Sequence, residues 1–171
     1  MCGVSGWSRS LVLVWAALAV LTVPACSGGQ KPAAAQSAST ETQILDQYRK
    51  LWSETLPAAM SAAPGERKDI LSTTLTDPEL GNALDRLAAM DRRGRRAYGS
   101  DVPLRQTVTL TGATAVVTGC LDSSQSGIAD SKTGRKLTRG VATNPVSVTF
   151  HRGKDGVWRA SETRFPGTRT C

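Results

Sequence analysis

Apolar residues recur along this chain with three successive spacings, and each change of spacing marks a boundary. Residues 11–23 form an unbroken apolar run of 13 residues that follows Arg9 and is trailed by the small residues Ala25 and Cys26. A spanning helix needs roughly 20 such residues, so the run predicts an export signal over 1–25 that is removed. Residues 26–41 are rich in Gly, Ser, Ala and Gln and have no hydrophobic period, which predicts a flexible tether.

From Thr42 the spacing becomes helical. Ile44, Leu45, Tyr48, Leu51, Trp52 and Leu56 recur at steps of three and four, with Asp46, Arg49, Lys50 and Glu54 between them, which predicts an amphipathic helix with one buried face. Pro57 is expected to end or kink it, and the Ala-rich stretch 58–63 stops at Pro64 and Gly65. A second, shorter helix is expected over 66–75. A third starts at Thr76-Asp77-Pro78-Glu79, with Thr76 as cap, Pro78 in the first turn and Leu80, Leu84, Leu87 and Ala88 as its stripe, and it stops near Gly94.

The second half has a period of two. Val108 and Leu110 alternate with Thr107 and Thr109, Gly112 marks a turn, and Ala113, Ala115 and Val117 continue the alternation, giving one strand pair. Val146, Val148 and Phe150 alternate with Ser147, Thr149 and His151, and Asp155-Gly156 turns the chain into Val157, Trp158, Arg159 and Ala160, giving another. Residues 122–144 are polar and Gly-bearing and are expected to be strand ends joined by a long exposed loop. Helices followed by strands predict an α+β domain over 42–171, its helices on one face of an antiparallel sheet.

Composition narrows the class without supplying a chemistry. A chain of 171 residues, 40% hydrophobic and 20% charged, suits one globular domain and fits neither a multi-span membrane protein nor a long disordered chain. Val23-Pro24-Ala25-Cys26 resembles a bacterial lipobox, which implies cleavage before Cys26 and acylation of its thiol. An ordinary cleavable signal with an incidental Cys is the competing reading. Two or three fatty chains on one residue exceed the marginal anchoring of a single chain, at about 0.8 kcal/mol per buried methylene. The expected localisation is therefore the outer face of the cell membrane, outside the cytoplasm. With Cys2 lost and Cys26 acylated, Cys120 and Cys171 are the remaining thiols in an oxidising compartment, and they pair in one way. The bridge closes a loop of about 50 residues and is worth roughly 4 kcal/mol in chain entropy. A reactive dithiol is the alternative, but the two are far apart and lack a CxxC arrangement.

The order of elements has a familiar ring of residues. Ile44, Tyr48 and Trp52 on the first helix, two further helices, Cys120-Leu121-Asp122-Ser123-Ser124, a basic loop, Asp155-Gly156-Val157-Trp158-Arg159 and terminal Cys171 together resemble secreted lipoproteins of high-GC Gram-positive bacteria with a nuclear transport factor 2-like, or cystatin-like, domain. The resemblance spans residues 42–171. It implies a curved antiparallel sheet wrapped around the first helix as an open cone, with the two cysteines bridged. Relatives of that fold include isomerases, cyclases, dehydratases and many noncatalytic modules, so it does not by itself decide function. In the family an Asp often precedes the strand Cys, whereas this chain has Gly119, which removes the expected interior carboxylate.

Four residues are candidates for the wall of such a cone: Tyr48, Trp52, Asp122 and Trp158. The aromatics are expected first as core, which aromatics dominate in small domains, and Asp122, at a strand end, is expected first as a turn cap. A general base needs a raised pKa and a partner within reach, so Asp122 and Tyr48 would have to face one water-accessible pocket to act as an acid/base pair. His151 is expected to face solvent. With one His in the chain, neither a metal site nor any cofactor is expected, and no GxSxG context supports a serine nucleophile.

Arg92, Arg93, Arg95 and Arg96 concentrate positive charge at a helix C-terminus, where it suits the dipole. Such a patch also attracts anionic lipid headgroups or anionic wall polymers. Nucleic acid, which shares the electrostatics, is not an expected partner of an exported domain. Lys132, Arg135, Lys136 and Arg139 form a second, looser cluster. The reading with most support is a noncatalytic, lipid-anchored module that offers a small apolar pocket or its sheet surface to a ligand or envelope partner. The alternative is an isomerase, cyclase or dehydratase acting on a small apolar substrate.

Overall fold

In the computed structural model the described residues are 33–167 and Cys171, so the export signal expected over 1–25 and the acylated Cys26 lie outside them. The helices come first. Helix α1 (Ala33–Lys50) runs into a π-helical turn (Leu51–Thr55) and on into α2 (Leu56–Ser61), followed by α3 (Arg67–Leu71) and α4 (Glu79–Arg92). The strands are β1 (Arg95–Tyr98), β2 (Val102–Thr111), β3 (Thr114–Asp122), β4 (Gly127–Asp130), β5 (Asn144–Arg152) and β6 (Trp158–Arg164). β2, β3, β5 and β6 form an antiparallel sheet in that order, and β1 pairs with β4 as a separate antiparallel ribbon. The fold is thus the expected α+β arrangement, with N-terminal helices packed against a curved antiparallel sheet.

Three helix boundaries differ from the expected ones. α1 begins at Ala33, inside the stretch expected to be a tether, because its Ala-rich composition favours helix without needing an apolar face. Pro57 does not end the helix. Leu56 N–H donates to Leu51 O, five residues back, and the wider turn lets the rod run on with Pro57 near the start of α2, where a missing N–H is tolerated. The segment expected as a helix over 66–75 is helical only over α3. Its remainder lies along β6, with Thr76 N–H donating to Ala160 O at 2.9 Å and Ala160 N–H to Thr74 O at 2.8 Å. Thr76 therefore does not cap α4 with its side chain. Asp77 Oδ1 accepts the Gly81 N–H at 3.3 Å instead.

The core is filled from both halves. Ile44, Tyr48 and Leu51 of the helical rod, Leu71 of α3, and Ala115, Val117, Val148 and Phe150 of the sheet are at 0 or 1% exposure. The turns expected at Gly112 and Asp155-Gly156 are present, with both glycines at positive φ, +59° and +78°. The loop expected over 122–144 contains β4, which pairs with a strand hidden in the arginine run.

Cys120 and Cys171 form a disulfide, their Cα atoms 5.9 Å apart, and Arg105 Nη1 donates to Cys171 O at 3.0 Å. Residues Lys31–Cys171 form one compact unit, with this bridge and all of the core just described inside it.

Candidate functional site

A cavity of about 470 Å³ opens between the helical rod, α4, the β1–β4 ribbon and the end of β6. Its back wall is the irregular part of the rod: Leu51 and Trp52 from the π-helical turn and Leu56 and Met60 from α2. A π turn widens the helix and re-aims its side chains, and such turns gather at functional sites. α4 contributes Glu79, Ala83, Arg86, Leu87 and Met90, positions that a 3.6-residue period places on one face. The adjacent face carries Leu80, Leu84 and Leu87 onto the core. The ribbon supplies Ala97, Tyr98 and Ile128, and Thr163 and Phe165 close the rim. Phe165 is half exposed, with its ring edge-on to Trp52 at 6.1 Å between centroids.

The lining is mainly apolar, with charge at two places. Glu79 is buried, and its Oε1 accepts from Arg86 Nη2 at 2.6 Å. The side chain of Arg86 is 60% exposed, so the pair spans from the protein interior to solvent and a buried carboxylate keeps a partner. At the ribbon end Ser126 Oγ donates to Asp101 Oδ1 at 2.6 Å. Two methionines, flexible and polarisable, allow the wall to adapt to shape.

Of the four expected pocket residues, Trp52 alone lines this cavity. Tyr48 lies one turn away at 0% exposure, packed edge-on to Trp52 with centroids 6.2 Å apart. Burial pushes its phenol well above the usual tyrosine range, and the neighbouring Trp52 indole N–H offsets part of that rise. The approach of the two groups falls short of a hydrogen bond. Trp158 is core, at 2% exposure, because β6 points it, with Ala160, at the helices. Asp122 is also absent from the lining. Its Oδ1 accepts the Ser124 N–H at 2.9 Å, a side-chain-to-backbone turn that Asp favours at strand ends. Hydrogen bonds from Ser124 hold its carboxyl below the usual carboxylate range. An acid/base pair of Asp122 and Tyr48 is therefore not assembled in the cavity.

Gly119 has a physical reason. A Cβ at this position would lie 2.9 Å from Arg105 O and 3.4 Å from Leu104 O, where β2 bulges against β3 between Leu104 and Thr107 and Arg105 takes φ +47°. An interior carboxylate at 119 would require that bulge to move.

The residues that sequence reasoning missed are Met60, Glu79, Arg86, Met90, Tyr98 and Phe165. One signal was present: Glu79, Ala83, Arg86 and Met90 share helical spacing, but the polar members hide a second inward face behind the stronger leucine stripe. His151 is exposed as expected, with Nδ1 3.1 Å from Thr114 Oγ1. Among the described residues no group of three His, Cys, Asp or Glu is placed to hold a metal ion.

The chain is similar to several solved structures. No family model and no curated protein matches this chain. The intermembrane space region of the chloroplast protein ARC6 is similar over 75% of this chain and 95% of its own, with 21% identity and a TM-score of 0.53. An NTF2-like protein with a cystatin-like fold from Novosphingobium aromaticivorans is similar over 84% of this chain and 95% of its own, with 17% identity and a TM-score of 0.46. An NTF2-like protein from Cytophaga hutchinsonii is similar over 72% and 93%, with 15% identity and a TM-score of 0.45. At 21% identity the likeness to the ARC6 region is one of fold alone.

Proposed function

We propose that this chain is a noncatalytic binding module, held on the outer face of the cell membrane by acyl chains on Cys26, whose cavity takes a small and mainly apolar ligand. The observation that carries the reading is the cavity itself, about 470 Å³ and walled by Leu51, Trp52, Leu56, Met60, Leu87 and Met90. That volume lies within the range of about 300–1,000 Å³ typical of small-molecule sites. The charged pair in its wall, Glu79 and Arg86, already satisfies itself, so the wall offers apolar contact first and hydrogen bonding at one edge. The anchor rests on the sequence around Cys26. Replacing Cys26 with Ala should abolish lipid labelling and either release the protein or leave it uncleaved.

The catalytic alternative loses its particular support, since Asp122 caps Ser124 and Tyr48 is sealed in the core. The cavity reading is tested with N-phenyl-1-naphthylamine, a neutral fluorescent apolar probe. One probe should bind per chain, and Met60→Trp, which adds bulk at the wall, should weaken binding at least about tenfold while thermal unfolding stays cooperative. Unaltered probe affinity in Met60→Trp and in a second filled variant, Met90→Trp, would sink the assignment.

A further inference from the structure

Two cationic runs that are separate in sequence meet at one end of the β1–β4 ribbon. Gly94, at φ +61° just past α4, accepts the Ser131 N–H on its carbonyl at 2.9 Å. The turn beyond β4 closes through Gly134 N–H to Asp130 O at 3.0 Å and Asp130 N–H to Arg135 O at 2.9 Å. Arg92, Arg93, Arg95 and Arg96 therefore stand beside Lys132, Arg135 and Lys136, all of them exposed. None of these seven has an ion-pair partner among the described residues.

The carboxylates at this end are already committed. Asp91 is held by Arg67, with Nη2 to Oδ1 at 3.2 Å. Asp130 Oδ1 accepts the Lys132 N–H, the Thr133 N–H and the Thr133 hydroxyl. Lys136 places its ammonium 4.6 Å from the centre of the Tyr98 ring, which directs it without neutralising it. The segment following the turn runs back along β4, with Leu137 and Thr138 N–H groups both donating to Ile128 O. Along its length it leaves two large apolar side chains in water, Leu137 at 40% exposure beside β4 and Val141 at 58% exposure past the other end of the ribbon, where Val141 O accepts the Ser123 N–H at 2.9 Å.

From this arrangement we propose that the ribbon tip, together with the segment 136–141 that runs back from it, is a docking surface for an anionic lipid bilayer, its cations on the headgroups and Leu137 and Val141 in the interface. Charge alone would suit any polyanion. A soluble polyanion leaves Leu137 and Val141 wet, whereas a bilayer rewards both kinds of side chain at once. The surface is distinct from the cavity ligand and from acylation. It would hold the ribbon wall of the cavity against the membrane.

The test uses the unit Lys31–Cys171, which contains its own core and disulfide and no acyl chain. It is sedimented with vesicles of phosphatidylcholine alone and with vesicles in which a third of the lipid is phosphatidylglycerol. Binding should be at least about tenfold tighter to the anionic vesicles and should fall steeply with added salt. A basic residue near an anionic surface is worth roughly fivefold in affinity. The quadruple variant Arg95→Ser, Arg96→Ser, Arg135→Ser, Lys136→Ser should therefore bind about 600-fold more weakly. Leu137→Ser with Val141→Ser should cost about fivefold or more while the salt dependence persists. All six positions are exposed, and circular dichroism checks each variant. If the quadruple variant fails to fold, the lipid comparison and the Leu137/Val141 variant decide. Equal binding to the two vesicle types overturns the proposal. So does inorganic polyphosphate binding as tightly as the anionic vesicles with the Leu137/Val141 variant unaffected, which assigns the surface to a soluble polyanion.

Discussion

In the four-stranded sheet Ala115, Val117, Val148, Phe150 and Ala160 are at 0% exposure, whereas the two strands of the ribbon bury Ala129 alone. The sheet is held by a continuous apolar layer against the helical rod. The ribbon is held by polar ties: Tyr98 hydroxyl to Thr138 O at 2.8 Å, Ile128 N–H to Thr138 Oγ1 at 3.0 Å, and the Asp130 turn. The two regions thus divide the work. The sheet fixes the fold, and the ribbon spends its few apolar residues, Ala97, Tyr98 and Ile128, on the cavity wall. Regions of low apolar contact open locally more readily than the core, so the movable wall of the cavity is the ribbon.

The sharpest way to break this contrast is to empty a side-chain site in each region. Phe150→Ala should cost about 3–5 kcal/mol of global stability in urea unfolding, because a large buried ring leaves a cavity behind. Ile128→Ala should cost about 1 kcal/mol or less, and equal losses would make the ribbon part of the core. Next in size is the bridge that ties Cys171 to β3. Cys120→Ser, or reductant, should lower stability by about 2–4 kcal/mol, and superimposable melting curves would show that the bridge does not constrain the unfolded chain. The smallest effect should come from Tyr98→Phe. Losing one hydrogen bond of the ribbon should cost about 1 kcal/mol or less. It should show as faster hydrogen exchange at Leu137 and Thr138 with little change in melting temperature.

The sheet was legible because alternation reports burial directly: Val146, Val148 and Phe150 read as one face of a strand and are one. The ribbon was not, since Arg95–Tyr98 and Gly127–Asp130 are four residues each, too short to establish a period. The arginines of β1 also read naturally as a helix end. α1 extends through Ala33 without an apolar face, so its beginning left no periodic trace. Asp122 was readable as a turn residue from its place at a strand end, and Cys120 with Cys171 from cysteine arithmetic and compartment. The cavity was half readable. Trp52 lies on the apolar stripe of the first helix, but Met60, Met90 and Phe165 reach the same space from distant segments, and only tertiary packing brings them together.

The π-helical turn has the hydrogen-bond count of an α-helix into which one residue too many has been threaded. Deleting the exposed Ser53 would let the ladder close at its ordinary interval, and because the wide turn already absorbs that residue, the segments on either side would keep nearly the same rotation about the rod axis. Ile44, Tyr48, Leu56 and Met60 would keep their seats, and only the swelling that carries Leu51 and Trp52 to the back wall would be drawn in. The contour of that hollow is in this sense indexed to a single supernumerary amino acid.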